Sequence, residues 1–311
     1  MAQAVSGGSP ASRRFTLSPQ ARTNIAGFLF ITPWIIKFLT LNAGAMLASF
    51  VISLFETDFF TTFDFIGFDN YTRLFSDPLF WKSLSVTAYY AFGMVPLALV
   101  FSLIIALLLN QGVKFQGLYR VVYYLPSIVS GVAVAILWKY LLQPRWGLVN
   151  QGLAVLGIEG PKWLFSTTWA MPAFILMGVW AAGGNMLLYL AGLQGIPTDL
   201  YDAASIDGAN AWHRFWRITL PMLTPTIYFN LIISIIGAWQ IFTQSYIITA
   251  GGPDNSTLTM VLLLYRKGFQ QLHFGYASAI AWVLFAIVMI FTVLVVRSSE
   301  AWVYYAGEVR G

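Results

Sequence analysis

The chain has 311 residues, of which 58% are hydrophobic and only 9% charged, whereas a soluble domain carries about 25% charged residues. Too few polar groups are present to cover a water-facing surface, so a soluble globular protein is excluded and a membrane-embedded one is indicated. The net charge of +5 is small and scattered, a membrane-orientation signal and not a nucleic-acid footprint, and the absence of Cys removes disulfides, thiolate metal sites and cysteine nucleophiles.

Residues 1–23 are polar and carry Arg13, Arg14 and Arg22. They read as a cytoplasmic tail. The apolar stretch behind them is too long for a signal-peptide core, so it is expected to be retained as a first span, over 24–56. A crossing helix needs about 20 mostly apolar residues. Six stretches qualify: one within 25–55, then 85–109, 121–142, 170–193, 223–248 and 276–296. All should be helices, because lipid cannot satisfy open backbone groups. The expected fold is therefore an all-α membrane protein with six transmembrane helices, a five-helix core over 82–298 and a cytoplasmic tail over 299–311. The aromatic content of 17% suits belts at two bilayer interfaces.

Lys37 falls inside the first stretch, where a mid-span Lys costs about 3 kcal/mol. Either the helix is long and tilted, with Lys37 facing protein or water, or the span begins near Phe38; Pro33 permits a bend there. Pro96, Pro126 and Pro172 are expected to kink their spans.

Orientation follows from Lys and Arg. A slight excess lies on the side holding both termini, the 110–120 loop and the 194–222 loop, with Lys114, Arg120, Arg214, Arg217 and Arg297 among the charges. That side is assigned to the cytoplasm. On the other side, the 56–82 loop carries Glu56, Asp58, Asp64, Asp69 and Asp77. Their spacing lacks the alternation of a calcium loop, so a solvated external loop is the favoured reading.

The segment 195–221 has physical structure of its own. Thr198 is a good N-cap residue. Asp199 and Asp202 would lie in the first turn, where the helix dipole favours negative charge. Gly208 can take the left-handed conformation that ends a helix, and a second short helix can follow toward Ile218 before Pro221 opens the fifth span. Ala203 and Ala204 are small and share a face with Leu200. Such a helix packs either on its own protein's membrane ends or on a partner.

The series Asp202-Ala203-Ala204, Asp207-Gly208-Ala209, Phe215, Ile218 and Leu220-Pro221 resembles the "EAA" loop of ABC importer permeases. Asp202 stands where that family usually has Glu. Other segments are similar to sugar-type members: 106–110 with Arg120 and Pro126, Trp138-Lys139 with 147–150, and Thr249-Ala-Gly-Gly-Pro253 with Thr257, Tyr265, Phe269 and 275–277. The resemblance covers nearly all of residues 24–300. It implies a type I ABC importer permease in the inner membrane, importing a sugar or sugar-like solute. The implied partners are a second six-helix permease, an ATPase dimer that binds the ATP, an extracytoplasmic binding protein and membrane lipid. The loop would be the coupling helix, with Asp202 as the acidic contact, Gly208 as the turn, and Ala203, Ala204 and Ala209 as small packing positions; Asp207, Phe215 and Pro221 belong to the same pattern.

Polar residues within spans face protein or a water-filled path. Asn185, and Gln240 and Gln244 one turn apart beside Trp239, are the candidates. They line the path or hold helices together. Glycines at 178–184 read as close helix packing or flexibility, ahead of a gating hinge. The 249–277 loop, with Gly251, Gly252 and Pro253, is the expected contact for a binding protein. His213 and His273 are isolated and read as surface or packing residues, so no metal site is expected. There is no phosphate-binding glycine loop, no zinc motif and no nucleophile elbow. No Asp or Glu lies within the six stretches, which disfavours proton coupling.

Overall fold

The computed structural model describes residues 18–304, apart from the side chains of 21 and 22; Arg13, Arg14 and Arg310, and most of the two expected tails, lie outside the described residues. The chain divides into two compact units, up to Val51 and from Ile52 onward.

The first unit is one helical run. α1 (Pro19–Lys37) passes through a wide turn at Phe38–Gly44 into α2 (Ala45–Ser53). Two of its hydroxyls bond back to the helix, Thr32 to the Phe28 carbonyl and Thr40 to the Ile36 carbonyl, each at 2.7 Å, so neither needs a partner from lipid. The helix is already formed at Pro19, inside the expected tail, and stops at Ser53. It runs without a break through Lys37, near the middle of the apolar segment Thr23–Ser53.

The second unit opens with a short hairpin, β1 (Phe55–Thr57) paired antiparallel with β2 (Phe63–Phe65). α3 (Asp69–Ser76) follows. α4 (Pro78–Leu109) is capped by Asp77, whose carboxylate accepts the Leu79 N–H at 2.8 Å. Its 32 residues reach about 48 Å, enough to span hydrocarbon and headgroups. Pro96 sits within α4 without ending it.

The expected third span is two helices. α5 (Gln116–Ile128) and α6 (Gly131–Leu141) meet at 100°. Pro126 removes a backbone donor, and Val129 and Ser130 are extended. The short α7 (Leu148–Val155) follows. The fourth span is likewise divided, into α8 (Ala170–Trp180) and α9 (Gly183–Gln194), bent by 40°. Pro172 lies in the first turn of α8 and kinks nothing.

α10 (Thr198–Ile206) and α11 (Ala211–Arg214) form the next loop. α11 is not a free second helix: it continues through a wide turn at Phe215–Thr219 into α12 (Leu220–Trp239). The fifth span ends at Trp239, short of the expected residue 248; a separate turn at Ser245–Thr249 follows a break. After α13 (Met260–Tyr265) and the wide turn Arg266–Gln270, α14 (Phe274–Trp302) forms the last span and extends into the expected tail. Among the described residues, four helices are long and apolar enough to cross a membrane alone, and six crossings result if each bent pair counts as one.

α4 is the central element, packed on α8, α9 and α12, while α12 also packs on α14. One core, around Tyr90, Phe174, Trp239 and Ile280, fills the end near the hairpin. A second, around Leu109, Leu193 and Leu223, fills the other end beside α10. The 56–77 and 266–276 segments thus share one end of the bundle, and the 195–219 loop occupies the opposite one.

Candidate functional site

Two regions stand out: the α10 loop at one end, and the breaks in the spans with the loops above them.

α10 is closed by a complete helix-end motif. Gly208, at φ +75°, donates its N–H to the Ser205 carbonyl at 3.1 Å, and Ala209 donates to the Ala204 carbonyl at 2.8 Å. Only glycine takes this left-handed position without a Cβ penalty. The start differs from expectation by one residue: Pro197 is the cap and Thr198 is already helical. Asp199 therefore occupies the first turn and Asp202 lies beyond it. Asn210, missed from the sequence, caps α11 by accepting the His213 N–H at 2.9 Å. The signal was legible, since Asn ahead of a helical run is a preferred cap. His213 Nδ1 lies against the same Asn210 oxygen, a local packing role.

Side chains fix this loop to the bundle. The Tyr201 hydroxyl and Thr219 Oγ1 lie 2.9 Å apart. Arg214 donates to Ser205 Oγ at 3.1 Å. Ile196 is buried with Leu193 and Leu223. Opposite these anchors, Leu200, Asp202, Ala203, Ile206 and Asp207 are exposed, and so are Trp212 and Trp216 on the next segment. Asp202 has no ion pair or hydrogen bond among the described residues. Ala204, Ala209, Phe215 and Pro221 are half-buried. The loop is thus a held, capped helix that offers an acidic and apolar face to solvent.

At the breaks, backbone groups freed from the helices find new partners. Ser102 on α4 donates to the Ala182 carbonyl at 2.9 Å, at the gap between α8 and α9. Gly183 sits so close to α5 that an added Cβ would lie 1.9 Å from the Tyr123 carbonyl oxygen, so it and Gly178, close to Met94 and Tyr90, are tightly packed, whereas Gly184 has open space beside it. Gly131, opening α6, faces Thr243 in the break of the fifth span. Asn185 donates to Ser234 Oγ at 3.1 Å and so ties α9 to α12. Gln240 and Gln244 do not share one helix face: the helix ends at Trp239, Gln240 is its exposed cap, and half-buried Gln244 belongs to the next turn. Trp239 is 3% exposed and stacks on Phe291 at 5.4 Å; it belongs to the core and offers no surface to a solute.

The 249–260 loop is folded back into the bundle. Thr257 Oγ1 donates to the Gly252 carbonyl at 2.8 Å and meets Thr249 Oγ1 at 2.7 Å, while Ser245 donates to the Thr257 carbonyl. The Met260 N–H donates to Thr87 Oγ1 of α4 at 2.9 Å. The Arg266 guanidinium closes the loop onto the Ala250 carbonyl. Gly251 is consequently buried, Gly252 and Pro253 half-buried, and Asp254 is the exposed tip. This end also holds a polar cavity of about 520 Å³, lined among others by Glu56, Asp58, Arg73, Lys267, Gln271 and His273. Its carboxylates are engaged. Glu56 pairs with Arg73 at 3.1 Å, and Asp77 accepts the Tyr276 hydroxyl at 2.9 Å. Asp58 is held well below the usual carboxylate range by the Thr61 hydroxyl and the N–H groups of Thr62, Thr61 and Phe60. No cluster of three metal-ligating side chains occurs among the described residues.

Comparison with known proteins places this geometry. Residues 98–303 match the family model described as "Binding-protein-dependent transport system inner membrane component". The "Probable ABC transporter permease protein YesP" of Bacillus subtilis is 43% identical over 92% of this chain and 94% of its own length. The "Lactose transport system permease protein LacF" of Rhizobium radiobacter is 37% identical over 87% and 93%. Among solved structures, a chain of a bacterial alginate ABC transporter, crystallised with an alginate pentasaccharide-bound periplasmic protein, superposes with a TM-score of 0.80, covering 91% of this chain and 96% of the other at 24% identity, which establishes a shared fold.

Proposed function

The chain belongs to the family of binding-protein-dependent transport system inner membrane components, and on that premise we propose that it is the permease subunit of an ATP-driven importer for a sugar or sugar-like solute, coupled to a separate ATPase through the 195–221 loop. The observation that carries this reading is the α10 loop: a capped helix anchored to the bundle by Tyr201–Thr219 and Arg214–Ser205, with Asp202, Ala203 and Ile206 left facing solvent. An exposed apolar and acidic helix held this firmly is suited to a partner's cleft, where a rigid-body push on α10 reaches α12 directly. ATP is then bound and hydrolysed on the partner. The α10 end faces the cytoplasm and the hairpin end faces outward. A second permease completes the path, and a binding protein delivers the solute to the outer end.

Carbohydrate is the solute class supported by the lactose permease relative and by the "Trehalose/maltose transport system permease protein MalF" of Thermococcus litoralis. The solute path runs past the breaks at 129–130, 181–182 and 240–242, the level at which the helices are interrupted. Asn185, Gln240 and Gln244 border that level. Alternating exposure moves the solute past it, while the chain itself performs no covalent chemistry.

The chain has no Cys, so a single cysteine at Ala203 gives a clean cross-linking probe. In membranes expressing the whole transport system, Ala203→Cys should cross-link to a P-loop ATPase subunit. A chain that purifies without any such ATPase, and gives no cross-link, contradicts the proposal.

A further inference from the structure

Six aromatic rings, drawn from three separate segments, form one unbroken row in the second unit. Phe242 and Tyr246 are a helical turn apart, with centroids at 5.2 Å and planes 12° from parallel. Tyr265 lies 5.1 Å from Tyr246. Phe269, one turn beyond Tyr265, stacks on it at 5.6 Å and 27°. Phe269 then meets Phe274 at 5.9 Å, and Phe274 meets Phe59 of the hairpin turn at 4.9 Å. The row starts beside the break in the fifth span and ends at the outer rim.

None of these rings is fully buried, although Phe242 and Tyr265 pack against the first core on one side. Tyr246 is 40% exposed, Phe269 64% and Phe59 52%; Phe242, Tyr265 and Phe274 are half-buried. Every ring in the row keeps some accessible surface. Nor is their surrounding suited to lipid. Lys267 and Gln271, on the same segment as Tyr265 and Phe269, line the polar cavity, Gln270 and Gln240 are exposed, and Gln244 keeps accessible surface. Such groups are costly against hydrocarbon and are placed where water or a polar ligand reaches them. At the outer end the row adjoins the polar cavity, through Gln271, Leu272 and His273 beside Phe274.

A surface with ring faces in series and amide and charged groups along its edge fits one kind of small solute. A pyranose has an apolar C–H face, which stacks on an aromatic ring, and a rim of hydroxyls, which bonds amides and charged groups. A purely apolar solute would leave the polar edge unpaired, and a small anion would gain nothing from the electron-rich ring faces. We infer that this row is a track along which carbohydrate rings pass from the outer polar cavity to the break in the fifth span. The inference rests on the importer reading above and deepens it, because it assigns solute contact to Tyr246, Tyr265 and Phe269 of this chain, outside the interhelical residues considered so far.

The absence of Cys again supplies the first test. In the assembled transporter, single variants Tyr246→Cys and Phe269→Cys are exposed to a membrane-impermeant maleimide from the outer side. The track predicts labelling at both positions. If the row is instead covered by the second permease, neither is labelled and the track is overturned. The second test is uptake of lactose, maltose, trehalose and longer oligosaccharides by the reconstituted complex with its binding protein. For a sugar taken up by the wild type, Phe269→Leu and Tyr246→Leu, which keep bulk but lose the ring, should each raise KM about tenfold. Phe269→Trp should remain close to wild type, and maximal ATP hydrolysis should not change. Uptake indifferent to both leucine variants overturns the track while leaving the importer reading intact. A wild-type complex that takes up no carbohydrate takes both readings down together.

Discussion

The Tyr201 hydroxyl lies 2.9 Å from Thr219 Oγ1, and this hydrogen bond joins the exposed helix α10 to the start of α12. Arg214 adds a second link, to Ser205 one turn along α10. Thr219 is buried, so its partner cannot be replaced by water at no cost. A hydrogen bond of this kind contributes about 1 kcal/mol, and two of them hold the loop where a force on α10 is transmitted rather than absorbed.

Removing that link should weaken transmission. Tyr201→Phe is expected to lower binding-protein-stimulated ATP hydrolysis about fivefold, with unchanged membrane expression. Thr219→Val should do the same, and the double variant should be little worse than either single one, because one interaction is being removed twice. Additive losses in hydrolysis would show that the two residues act independently.

Gly208 offers a backbone test. At φ +75° a side chain costs about 1–2 kcal/mol, with Asn the best tolerated alternative. Gly208→Val should reduce stimulated hydrolysis on the order of tenfold or more, and Gly208→Asn should retain most of it. Equal activity in the two variants would mean that the closing turn does not matter to coupling.

The contact at Gly183 predicts a stability difference between neighbours. A Cβ there meets the Tyr123 carbonyl oxygen at 1.9 Å, whereas at Gly184 nothing lies within 4 Å. Gly183→Ala should destabilise the purified protein by about 1–3 kcal/mol through overpacking, and Gly184→Ala by much less. Thermal unfolding in detergent distinguishes them.

Asp58 carries a pH prediction. Its carboxyl titrates below its unfolded value of about 3.9 because Thr61, Thr62 and Phe60 donate to the charged form. A lowered folded pKa contributes stability that is fully present above the unfolded value and is lost as pH falls through the folded one. The turn at 58–62 should therefore keep its amide-exchange protection at pH 5 and lose it only in strong acid. Asp58→Ala should lose that protection at every pH.

Hydropathy made the crossings legible but not their interruptions. The window that reads 121–142 as apolar cannot see Val129 and Ser130 extend the backbone; Pro126 was the visible warning, since it removes a donor shortly before α5 ends. Around 181–184 only the glycines hinted at a break, and after Trp239 the nearest sign was Gly237. The α10 loop was more legible because caps and turn glycines act over a few residues: Gly208 behaves as its type demands, while the start was misread by one residue, from Thr198 to Pro197. The core position of Trp239 and the separation of Gln240 from Gln244 were not legible, because adjacency in sequence says nothing of which faces core and which faces solvent once the helix ends between them. The aromatic row escaped the sequence altogether, since its rings come from segments brought together only by the fold.

The central claim is that this chain couples an external ATPase to transport through the face of α10. The most direct measurement is ATP hydrolysis and sugar uptake by the reconstituted complex with its loaded binding protein, comparing wild type with Asp202→Ala. Asp202 is exposed and bonded to nothing among the described residues, so the substitution leaves the fold of this chain intact. The account predicts that the variant complex assembles, yet loses most of its stimulated hydrolysis and its uptake together. Hydrolysis and uptake at wild-type rates, with Asp202 gone and α10 in place, would contradict it.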